Sequence, residues 1–101
     1  MQEVWLPIEG YEGCYEVSNL GRVKRLFKFR KYREYNSKIL KFKVSDFGYL
    51  SIGLTKDGDK KFFLIHRLVA FAFLPKTKNR NSVNHIDRNK SNNCVLNLKQ
   101  L

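Results

Sequence analysis

Residues 83–98, Val83-Asn84-His85-Ile86-Asp87-Arg88-Asn89-Lys90-Ser91-Asn92-Asn93-Cys94-Val95-Leu96-Asn97-Leu98, gather the side chains of this chain best suited to chemistry. A histidine of ordinary pKa, near ~6.5, accepts a proton from water at neutral pH. A hard divalent cation held by oxygen ligands neutralises a phosphate and stabilises a departing oxygen. The Asn84-His85 pair offers both groups, an amide oxygen for a cation and an imidazole as base. The chemistry indicated is metal-assisted hydrolysis of a phosphodiester. Adjacent strand residues point to opposite faces, so a strand carrying this pair must twist or end there for both to serve one site. The loop from Asp87 to Asn93 is polar enough to satisfy its own backbone through Asx-type turns. Asn97 is placed to bond across that loop and hold its ends together.

Taken alone, an Asn-His-x-Asp string describes a solvated turn, and His66 describes a buried, hydrogen-bonded histidine at a helix start. The order of the elements carries the reading, so the elements that position the pair come next. From Arg67 to Leu74 the chain is apolar nearly all round, which predicts a short helix buried against a sheet, with Pro75 at its end. Lys76 to Ser82 is a polar, basic loop leading to the Val83–Leu101 hairpin. Upstream, Asn19-Leu20-Gly21 is a turn signal between the strand arms Tyr15 to Val17 and Arg22 to Leu26. Asp46-Phe47-Gly48 is a turn and Tyr49 to Thr55 a strand. Lys56-Asp57-Gly58-Asp59 predicts a type I′ hairpin turn, with Lys61 to Ile65 as the return arm. Between 22 and 43 the cations Arg22, Lys24, Arg25, Lys28, Arg30, Lys31, Arg33, Lys38, Lys41 and Lys43 are interrupted by one acid, Glu34, and interleaved with Phe and Tyr. The alternation Lys41-Phe42-Lys43-Val44 predicts a strand with one cationic and one apolar face.

The chain of 101 residues holds one small domain, or two modules sharing a core. At 43% hydrophobic and 14% aromatic it can build that core. A net charge of +11 and a pI near 9.9 point to a polyanionic partner, nucleic acid first. Cys14 and Cys94 lie far apart without Cys-x-x-Cys spacing. No zinc site is expected, and a reducing, cytoplasmic compartment is the default. The first residues lack signal-peptide order, and no apolar run approaches membrane-spanning length.

At this point the chain resembles the phage HNH homing-type endonucleases that carry a nuclease-associated modular DNA-binding motif at the N-terminus. The N-terminal likeness runs through Trp5-Leu6-Pro7-Ile8-Glu9-Gly10-Tyr11-Glu12-Gly13-Cys14-Tyr15-Glu16-Val17-Ser18-Asn19-Leu20-Gly21-Arg22-Val23. The nuclease likeness runs through His66-Arg67-Leu68-Val69-Ala70-Phe71-Ala72-Phe73-Leu74, then Val83 to Asp87 and Asn97-Leu98. The resemblance implies an α+β fold: antiparallel hairpins forming a small sheet with one short buried helix, then a ββα-metal hairpin. It implies a basic β module over 1–60 and the HNH hairpin module over 61–101, packed as one unit. It implies cutting or nicking of double-stranded DNA with one magnesium or manganese ion. His85 takes the place of the general base, Asn84 that of the first metal ligand and Asn97 that of the loop brace; His66 supports the fold. Arg22, Lys24, Arg25, Lys28, Arg30, Lys31, Arg33, Lys41, Lys43 and Arg88 would grip DNA, mostly through phosphates.

Three features depart from the family pattern. Arg88 occupies a turn position usually held by Gly, and Gln100 one usually held by an aromatic. The helix that carries a second metal ligand in relatives has no counterpart before Leu101, so the expected ββα-metal hairpin is incomplete and its metal weakly held. The competing functions are therefore a DNA endonuclease, a DNA-binding module without catalysis, and a basic protein-binding module. Oligomerisation stays open.

Overall fold

A computed structural model describes residues 2–26, 28–30, 33–35, 38–74 and 83–100. The N-terminal half is built on a four-stranded antiparallel sheet. Its strands are Trp5–Pro7 (β1), Tyr15–Ser18 (β2), Val23–Arg25 (β3) and Lys38–Ile39 (β6). Lys28–Arg30 (β4) and Arg33–Tyr35 (β5) pair as a separate hairpin between β3 and β6. A three-stranded sheet follows, from Lys43–Val44 (β7), Leu50–Lys56 (β8) and Asp59–Leu64 (β9). The helix Ile65–Phe73 (α1) continues directly from β9, and Val83–His85 (β10) pairs antiparallel with Leu98–Gln100 (β11) across a 3-10 turn at Val95–Asn97.

Local sequence accounts for several of these junctions. The β8–β9 turn places Asp57 at φ 53° and Gly58 at φ 79°, the two positive dihedrals that a type I′ turn needs, and sets Lys56 opposite Asp59. The helix begins at Ile65, two residues before the expected Arg67, with Leu64 at its N-cap and no side-chain cap. Burial fixes this start rather than capping: Ile65, His66, Leu68, Val69 and Ala70 are all buried. The loop expected over residues 76–82, and Pro75 before it, lie outside the described residues.

One core joins the halves. Val17, Val23, Leu54, Ile65 and Val69 are fully buried, from β2, β3, β8 and α1. The Tyr15 hydroxyl accepts a hydrogen bond from Thr55 N at 3.1 Å, tying the N-terminal sheet to β8. The boundary expected between residues 60 and 61 falls inside β9, whose partner β8 lies on its other side. The strand expected over residues 41–44 is shortened to Lys43–Val44, and Val44 is exposed. Phe42 packs on the core, while Val44 lies on β7, an edge strand of the three-stranded sheet.

Candidate functional site

The β10 strand ends on the Asn84-His85 pair. Asn84 is exposed and His85 half-buried. The chain turns immediately after His85, with Arg88 N donating to His85 O at 3.0 Å. That turn lets neighbouring residues reach one cleft, of about 520 Å³, lined by Tyr49, Asn84, His85, Ile86, Arg88, Lys90 and Lys99. Lys99 stands directly across the ladder from Asn84. Lys90 donates to Phe47 O at 2.7 Å and lies 4.6 Å from the centre of the Tyr49 ring. Arg88 adopts φ 63°, a left-handed conformation uncommon outside glycine. Three cations therefore surround one imidazole in an open cleft.

Two interactions set the imidazole. His85 Nε2 lies 2.7 Å from Oδ1 of Asn93, and Asn93 is buried. On the core side the His85 ring packs against His66, with ring centres 4.9 Å apart, and against Tyr49 at 6.0 Å. His66 is only 5% exposed. Burial first, then the neighbouring charges of His85 and Arg67, push its pKa down to about 4. His66 is thus neutral at neutral pH and serves as a packed ring beneath His85.

The polar loop closes on Asn97 and Asp87. The Asn97 amide donates to Asp87 Oδ1 at 2.8 Å and to Asn92 O at 2.9 Å, while its oxygen accepts from Asp87 N at 3.0 Å. Asp87 also accepts from Asn89 N at 2.8 Å and from Asn92 Nδ2 at 2.9 Å. Hydrogen bonds from Asn92, the Asn89 backbone and Asn97 hold its carboxyl below the ordinary carboxylate range. This carboxylate is committed to the loop, and the side-chain oxygens among the residues lining the cleft are those of Asn84 and Tyr49. Among the described residues no three His, Cys, Asp or Glu side chains cluster as a metal site.

The cations expected to grip DNA divide into groups. Arg22 hydrogen-bonds the Glu3 carboxylate through both Nε and Nη2 and lies 5.7 Å from the centre of the Trp5 ring. That bond holds the Glu3 carboxyl below its ordinary range. Lys24 pairs with Glu16 at 3.4 Å and sits 4.4 Å from the Trp5 ring centre. Both are engaged at the N-terminal sheet, Lys24 because the cross-strand register sets Glu16 opposite it. Arg25 and Lys41 are exposed; Lys43 is exposed and 5.5 Å from the Phe62 ring centre. Lys28, Arg30 and Arg33 lie on the β4–β5 hairpin, and Lys31 lies outside the described residues. Among the described residues, Arg88 is the member of this set that lines the His85 cleft. Sequence reasoning passed over Tyr49, Lys90, Lys99 and Asn93. Register would have indicated Lys99, one residue beyond the Asn97-Leu98 pair; nothing local distinguishes buried Asn93 from exposed Asn89.

Comparison with known proteins agrees with this arrangement. The NUMOD4 motif matches residues 3–55. DNA endonuclease I-HmuI of Bacillus phage SP01 is 42% identical over 95 residues, covering 94% of this chain and 50% of that protein. The uncharacterized HNH endonuclease L245 of Acanthamoeba polyphaga mimivirus is 39% identical over 85 residues, 84% of this chain and 23% of its own length. A solved structure of the HNH homing endonuclease I-HmuI, concerned with DNA binding and cleavage, superposes with a TM-score of 0.80 at 40% identity, covering 97% of this chain and 52% of that one. The chain spans about half the length of I-HmuI. It belongs to the NUMOD4 family and corresponds to a region of a phage HNH homing-type endonuclease.

Proposed function

We propose that this chain is a DNA phosphodiesterase module that nicks or cuts double-stranded DNA with one divalent cation, the cleft at His85 being its active site. One observation carries the reading: Asn84, His85, Arg88, Lys90 and Lys99 share a single open cleft. The DNA binding and cleavage described for I-HmuI supports it. Arg88, Lys90 and Lys99 supply positive charge to seat a phosphate, and contacts of this kind are strongly salt-dependent. His85, with Nε2 directed at Asn93, has Nδ1 as the nitrogen for taking a proton from an attacking water.

The donor set fits a weakly held cation of the magnesium type. Asn84 offers one neutral oxygen from an exposed position, and such ions keep several waters and bind substrate phosphate. When bound, the ion would supply charge neutralisation at the scissile phosphate and the departing oxygen. A second reading, DNA binding without cleavage, is favoured by that same single neutral ligand. Incubation with supercoiled plasmid in Mg2+ or Mn2+ separates the two. The nuclease reading expects nicked circles that EDTA prevents; retention of DNA with no nicking in either ion would establish the second reading.

A further inference from the structure

The Ser18–Gly21 turn, at the far end of the chain from His85, packs on the residue that holds the imidazole. We propose that Asn93, seated on this turn, is a positioning residue that fixes the orientation of His85 and keeps its proton on Nε2, freeing Nδ1 for chemistry. The inference rests on the reading of His85 as the base.

The geometry runs from the turn to the ring in a few contacts. Ser18 Oγ accepts from Leu20 N at 3.2 Å and Arg22 N at 3.1 Å, and Gly21 N donates to Ser18 O at 3.0 Å. The turn is further tied down by Asn19, which is buried, accepts from Val4 N at 2.9 Å and donates to Gln2 O at 3.1 Å. Asn19 O then accepts from Val95 N at 2.8 Å, anchoring the chain just past Asn93. Gly21, at φ +88°, lies against Asn93 itself: a Cβ there would come within 2.8 Å of Asn93 Cβ and 2.9 Å of Asn93 O. Only glycine permits this approach. Asn93 in turn places Oδ1 2.7 Å from His85 Nε2, and a carbonyl oxygen accepts but cannot donate, so the proton sits on Nε2.

Stability alone does not explain an asparagine here. Its Nδ2 is buried with no hydrogen-bond partner among the described residues, an arrangement that costs folding free energy. The bond to His85 is the polar contact this side chain makes there in return. A neutral imidazole has two tautomers, and the group on one nitrogen decides which form the other presents. The N-terminal motif thereby serves the site mechanically, in addition to any contact it makes with DNA.

The test reads the tautomer directly by 15N–1H correlation NMR of the imidazoles in the 101-residue chain, at a fixed alkaline pH where both rings are neutral. With two histidines in the chain, His66→Phe completes the assignment. Wild type is expected to show His85 protonated on Nε2 alone. Asn93→Ala, which lacks the acceptor, is expected to give a mixture, and Asn93→Asp, which keeps it, to restore the wild-type pattern. Gly21→Ala is expected to behave as Asn93→Ala. Gly13→Ala, at φ +79° with nothing within 4 Å of an added Cβ, carries the same backbone strain without the contact and is expected to match wild type. In the nicking assay Asn93→Ala should lower kcat, but by less than the ~10²-fold that a positioned general base contributes, because a tautomer mixture keeps part of the productive form, with KM for DNA unchanged. An Nδ1-protonated His85 in wild type, or a tautomer unaltered by Asn93→Ala, overturns the proposal. A chain that shows the expected tautomers but nicks no DNA sustains the positioning role and removes the nuclease reading.

Discussion

Acidification should destabilise this protein through His66 before it reaches the carboxylates. His66 is buried beside His85 and Tyr49, and its pKa falls from an ordinary 6.5 to about 4, chiefly through burial. The unfolded chain takes up a proton on this ring near pH ~6.5, while the folded chain resists until about pH 4. Linkage then makes the contribution of His66 complete above pH 6.5, lost progressively as pH falls toward 4, and constant below that. At ~1.36 kcal/mol per unit, the total is about 3 kcal/mol, a large share of the roughly 5–15 kcal/mol that holds a small domain together. Urea denaturation at several pH values between 7.5 and 4 measures it. His66→Phe retains a ring against Tyr49 and His85 but cannot titrate, so subtracting its curve removes the effects of the Glu3 and Asp87 carboxyls. Wild type should lose about 2–4 kcal/mol more than His66→Phe across this range. Parallel curves would show that His66 is hydrated or paired in the folded state, and that burial does not hold it neutral.

Three further outcomes are expected. Asn97→Ala removes three side-chain hydrogen bonds that close the Asp87 loop and should cost about 1–3 kcal/mol in denaturant unfolding, since water replaces part of what is lost; an unchanged midpoint would mean that the loop closes without it. Arg88→Gly relieves a left-handed residue at φ 63° and removes a cleft cation, so stability should hold or rise by about 0.5 kcal/mol while DNA affinity falls. Lys99→Ala should reduce the salt slope of DNA binding by roughly 0.9, the value for one lost phosphate contact, whereas Arg22→Ala, already engaged by Glu3, should change it little; equal slopes for the two would reverse this division.

What was legible in the sequence was mostly local. The Asp57-Gly58 turn and the Asn19-Gly21 turn announce themselves through residues that tolerate positive φ, and both flank strands in the structure. The buried helix was legible as an apolar run, although its start at Ile65 was not, since no capping residue marks it. Asn97 was legible as a bridge because the loop it spans is short and polar. The rest depends on chain segments distant in sequence. Periodicity gives no sign that Glu3 would engage Arg22, that Tyr49 would stack beside two histidines, or that Gly21 would rest on Asn93. Charge patterning placed Arg22 and Lys24 among the DNA-gripping cations and passed over Lys90 and Lys99, whereas cross-strand register sets Lys24 against Glu16 and Lys99 against Asn84.

The central claim is that His85 performs chemistry on DNA that other parts of the chain hold. Single-turnover nicking of supercoiled DNA in Mn2+, measured beside DNA binding in EDTA for wild type and His85→Ala, tests it most directly. Wild type is expected to nick, His85→Ala to lose nicking, and both to bind equally. Nicking that survives in His85→Ala, or binding that disappears with the nicking, would contradict it.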